Sequence, residues 1–170
     1  MAKNPIQPGR VLAFFKTKGT SKVQEQLAEY SFLRDFILQA ARKSMTALVA
    51  RSDYDAFGFD LILGLKGSPD LVKIQLKAFN GKAANWDVHK SFVENGGQVV
   101  LVHLKEVSGE LRPEYRRLNE DKRQAVLTEP PKKKKGKKIH ADRCMMKIGD
   151  TEVFTDLLLL FPDKGVQRAK

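Results

Sequence analysis

Gly58-Phe59-Asp60-Leu61-Ile62-Leu63-Gly64-Leu65 and Leu71-Val72-Lys73-Ile74-Gln75-Leu76-Lys77-Ala78-Phe79 decide the fold. Each stretch alternates with a period of two, as a strand does. Phe59, Leu61, Leu63 and Leu65 fall on one side of the first. Val72, Ile74, Leu76 and Ala78 fall on one side of the second, and Lys73, Gln75 and Lys77 on its other side. Lys66-Gly67-Ser68-Pro69-Asp70 between them is turn chemistry. The two strands therefore form a hairpin. If both apolar stripes share one side, Asp60, Gln75 and Lys77 share the other, and a slip of one residue would reverse the faces.

Upstream, residues 21–45 contain no Gly or Pro. Val23, Leu27, Tyr30, Leu33 or Leu38, Phe36 or Ile37, and Ala41 recur at helical spacing, which predicts a long helix. Glu25 and Glu29 share one of its faces. Thr46–Arg51 reads as a short strand, and Ser52–Gly58 as a turn with Asp53 and Asp55. Downstream, Trp86–Glu94 reads as a short helix and Gln98–Val107 as a strand buried on both sides. Arg112–Ala125 is charged and reads as helical, and Cys144–Ile148 as a strand. The order of elements predicts one α/β domain, a mixed central sheet flanked by helices. A basic arm (1–20), a core (21–107), a charged insertion (108–142), further core elements (143–162) and a tail (163–170) divide it.

The chain has 31 Lys and Arg against 20 Asp and Glu, a formal charge of +11, which points to a polyanionic partner. Pro130-Pro131 introduces the run Lys132, Lys133, Lys134, Lys135, Lys137 and Lys138, an exposed loop suited to gripping phosphates without reading sequence. No apolar run is long enough to span a membrane, and no signal peptide opens the sequence. One cysteine and three histidines exclude a zinc cluster of usual spacing. A reducing, cytoplasmic setting is expected.

A carboxylate, an amide oxygen and an ammonium group on one hairpin face suit Mg²⁺ and phosphoryl chemistry. Asp60 and Gln75 would offer oxygens, Lys77 a positive charge, and Glu29 or Glu25 would approach from the helix. The plainer alternatives are a strand-capping Asp60 and a solvated Gln75–Lys77 edge.

Gly58-Phe59-Asp60, a strand and turn, and then Ile74-Gln75-Leu76-Lys77 resemble the PD-(D/E)XK nuclease pattern. Asn85-Trp86-Asp87-Val88-His89-Lys90 followed by Val99–Leu104 is also similar to bacterial branches of that superfamily. The resemblance spans roughly residues 22–105 and implies a restriction-endonuclease-like fold. It makes Asp60, Gln75 and Glu29 (Glu25 in the alternative) the ligands of Mg²⁺ or Mn²⁺, and Lys77 the catalytic lysine. Gln75 departs from the usual Glu or Asp. The implied activity is endonucleolytic, on DNA rather than RNA, with pairing of two copies. The alternative is a nucleic-acid-binding protein that keeps the fold without catalysis. A module binding an acidic protein is a third reading.

Overall fold

The computed structural model describes residues 10–15, 17, 19–52, 58–79, 85–128 and 143–162. In order they form α1 (Arg10–Phe15), α2 (Ser21–Arg42), β1 (Ala47–Arg51), β2 (Leu61–Leu65), β3 (Leu71–Phe79), β4 (Asn85–His89), α3 (Lys90–Glu94), β5 (Gln98–Val107), β6 (Glu110–Leu118), α4 (Glu120–Thr128), β7 (Arg143–Lys147) and β8 (Thr151–Phe154). Two 3₁₀ turns cover Ile148–Asp150 and Leu157–Leu160. The protein is α/β. Six strands form one mixed sheet in the order β1-β2-β3-β5-β6-β8, parallel only between β3 and β5. β4 leaves this sheet and pairs antiparallel with β7 in a separate ribbon. A parallel pair needs a crossover, and β4 with α3 supplies it.

Helix α2 and the Leu157–Leu160 turn cover one face of the sheet, over Leu61, Leu63, Val72, Ile74, Val100 and Val102. The buried stripe of α2 is Gln24, Ala28, Phe32, Phe36 and Ala40. This corrects the stripe read from the sequence, because Val23, Tyr30, Ile37 and Leu38 are exposed. Two alanines in the true stripe carry little hydrophobic signal, but their small size lets the helix lie close to the strands. The Tyr115 hydroxyl donates to Asp35 Oδ2 at 2.7 Å and so ties β6 to α2. Burial first, and then this bond, push the phenol's pKa up.

The opposite face packs Val99 and Leu118 against the β4–β7 ribbon, α3 and α4, through Val88, Phe92, Val93, Val126 and Met146. Gly97 allows α3 to sit here. A Cβ on it would lie 2.4 Å from the Phe92 ring.

Two local readings are corrected. Residues 85–89 are a strand, and only Lys90–Glu94 is helical. Residues 110–118 are an interior strand of the sheet, and the helix starts only after Asn119. The Asn119 side chain accepts from Lys122 N at 2.8 Å, a helix cap. Charges on both sides of β6 hid its alternation, in which Tyr115 faces α2 and Leu118 faces the ribbon. Pro113 is tolerated because the β8 ladder ends at Tyr115.

Candidate functional site

The hairpin forms, but Phe59 departs from the stripe read from the sequence: Leu61, Leu63 and Leu65 face α2, whereas Phe59, before the slip at Asp60, packs with the ribbon cluster on the other side. Leu61 faces Ile74 and Leu63 faces Val72, all buried under α2. Asp60 lies just before β2. Its N–H donates to Ile74 O at 2.8 Å, although Leu61 also faces Ile74, so the ladder slips by one residue as at a bulge. Beyond this point β2 no longer supplies backbone acceptors to β3. The Asp60 carboxylate does so instead, accepting from Leu76 N at 2.6 Å. That amide belongs to the Gln75–Leu76 peptide, so the carboxylate sits in the middle of the Gln75-Leu76-Lys77 triplet.

Gln75 and Lys77 leave β3 on the face opposite α2, level with Val99 and Leu101 of β5. Gln75 is only 6% exposed, and its Oε1 is buried without a hydrogen-bond partner among the described residues. An unsatisfied buried amide oxygen costs about 1–3 kcal/mol. Lys77 is half-buried and forms no ion pair among the described residues. Its row continues across Leu101 to Arg116 on β6.

The structure thus places the Asp60 carboxylate on the backbone of the Gln75-Leu76-Lys77 triplet. It does not bring Glu29 there. Glu29 pairs with Arg51 at 2.8 Å, on the α2 side of the sheet. Asp53 and Asp55, and Lys132, Lys133, Lys134, Lys135, Lys137 and Lys138, lie outside the described residues. Among the described residues no group of three or more His, Cys, Asp or Glu is placed to hold a metal. Asp60 and Gln75 are two hard oxygen donors with one charge between them. That set fits a divalent cation held loosely, with water completing its shell.

Sequence reasoning missed two neighbours. The His89 ring packs on Gly58, whose φ is +69° and where a Cβ would lie 3.3 Å from His89 Cδ2. Phe59 packs with the ribbon cluster, and Lys73 Nζ lies 5.9 Å from its ring centroid. Only the positive φ at Gly58, two residues before Asp60, has a trace in sequence, as a glycine ending an Asp-rich turn.

No family model, curated protein or solved structure matches the chain.

Gln75→Leu separates a structural from a chemical role for this amide. Leucine keeps the volume and removes the unpartnered oxygen. Stability in the absence of metal should therefore stay level or rise by about 1 kcal/mol. Urea denaturation reads this. A loss above about 1 kcal/mol would show that the amide has a partner in the folded chain.

Proposed function

We propose that the chain is a metal-dependent nuclease with a restriction-endonuclease-like sheet, acting on the phosphodiester bonds of DNA. The observation that carries this is Gln75 Oε1, a buried oxygen without a partner among the described residues, on the residue next to the Leu76 amide that the Asp60 carboxylate binds and two residues from a half-buried lysine. Polar groups kept unsatisfied at a cost in stability are characteristic of sites that bind something else. Asp60 and Gln75 would hold Mg²⁺ or Mn²⁺, which when bound polarises phosphoryl oxygens. Lys77 would place positive charge against the phosphate and help orient or deprotonate the attacking water. The lysine run at 132–138 would grip the backbone. The lone cysteine, Cys144, suits a reducing, cytoplasmic compartment. Two copies would cut the two strands.

A second reading, nucleic-acid binding without cleavage, draws on the donor set. Gln75 is neutral and Glu29 is engaged by Arg51, so among the described residues a single carboxylate, Asp60, serves the site. Labelled DNA and RNA incubated with the purified protein in Mg²⁺, in Mn²⁺ and in EDTA decide between the two. Cleavage in either metal and none in EDTA supports the nuclease. Binding without cleavage in every condition supports the second reading.

A further inference from the structure

The described residues carry 18 Lys and Arg against 15 Asp and Glu, and this excess is not spread evenly. Helix α2 carries three basic and three acidic residues, and α4 carries two of each. On the face of Lys77, Lys77 with Lys105, Arg112 and Arg116 of β5 and β6 stands against Glu110 and Glu114, and Arg112 pairs with Glu110 at 3.3 Å. Register places Lys77, Leu101 and Arg116 in one row, Phe79, His103 and Glu114 in the next, and Lys105 beside Arg112 in a third. Two cations share the Glu114 carboxylate, Lys105 and Arg116 with Nη1 at 3.4 Å, and His103 Nδ1 lies 3.6 Å from it, its pKa lowered by burial and by Lys105. The bond from Lys105 holds the Glu114 carboxyl below the usual range. The Arg116 guanidinium is fixed by two more bonds, to Thr151 Oγ1 at 2.9 Å and Thr151 O at 3.1 Å. Lys105 and Arg112 stand at the open end of the strip, with side chains 44% and 63% exposed.

We infer that Lys77, Lys105 and Arg112, with Arg116 fixed between them, form a track for the phosphodiester backbone of nucleic acid on the far side of the Asp60–Gln75 edge. The inference deepens the nucleic-acid reading above and rests on it. The track starts at the site itself, since Lys77 belongs to both. Strand spacing places Lys77 and Arg116 roughly 10 Å apart, and residue rise places Lys105 roughly 13 Å along β5 from their row. Leu101, between Lys77 and Arg116, is fully buried, so the backbone segment would touch Lys77 at one end and the exposed Lys105 and Arg112 at the other. Charges on strands rather than on a loop would fix the register of that segment against the hairpin.

The test uses the full chain, in EDTA, with a labelled DNA duplex of about 20 base pairs and salt from about 50 to 200 mM. Lys105→Gln with Arg112→Gln should flatten the slope of log affinity against log salt by about 0.9 per lost contact, or roughly eightfold per contact at 0.1 M. Glu114→Gln should act with the opposite sign and tighten binding, because it frees two cations, Lys105 and Arg116. Wild-type binding with both variants unchanged overturns the track and leaves the nucleic-acid reading intact. Weaker binding by Glu114→Gln, with its urea midpoint unchanged, also overturns the track. No binding by the wild type overturns both.

Discussion

Lys77→Ala and Asp60→Ala should each lower metal-dependent cleavage by about 10²–10⁴, the range of a lost acid–base or charge-stabilising group. Duplex affinity in EDTA should change far less. For Asp60 the alanine variant alone is ambiguous, because its carboxylate also accepts the Leu76 amide at the point where the β2 ladder ends. Asp60→Asn resolves this. An asparagine oxygen can still accept that amide, so stability should be kept while cleavage falls. The alanine variant should lose cleavage and in addition about 1 kcal/mol of stability. Single-turnover cleavage and urea denaturation on the same preparations separate the two effects. Full cleavage by Lys77→Ala and Asp60→Asn would remove both residues from the reaction.

Phe36→Ala should cost about 3–5 kcal/mol, and Ile37→Ala less than about 0.5 kcal/mol. The neighbours differ only in the face of α2 they occupy. Phe36 is fully buried and stacks on Phe161 at 6.0 Å between ring centroids, whereas Ile37 is 47% exposed. Against a total stability of about 5–15 kcal/mol for a domain of ordinary stability, the first loss brings the protein close to unfolding at room temperature. Comparable losses from the two variants would contradict the burial of Phe36 over Ile37.

That pair also shows where the sequence was legible. Period-two alternation located β2 and β3, and a continuous apolar run located β5, because their apolar positions are large and unbroken. The alternation set the face of Gln75 and Lys77 correctly for the same reason, but it ran the first strand from Phe59 through Asp60, whereas β2 starts at Leu61. Helix α2 was legible as a helix, but not in phase, since its buried positions include Gln24, Ala28 and Ala40. β6 was hidden because a sheet face that carries an ion cluster has the composition of an exposed helix. The resemblance drew Glu29 toward the hairpin, but its partner Arg51 lies on β1, an ion pair between two distant segments that no local pattern encodes. The unsatisfied state of Gln75 is likewise a property of packing alone.

The β4–β7 ribbon bears on the order in which the chain can fold. Val88 pairs with Cys144, 56 residues later, and the Cys144 thiol lies 3.4 Å from Val88 O. Closing so long a loop is entropically slow compared with forming the β2–β3 hairpin. During synthesis β1, β2, β3, β5 and β6 can assemble under α2 while Val88, Phe92 and Val99 still lack Met146, their partner in the ribbon cluster. An incomplete chain therefore leaves one side of its sheet sticky. The strand that closes it also places Trp86 opposite Met146, so the wall beside the hairpin face is finished only when the last part of the fold arrives.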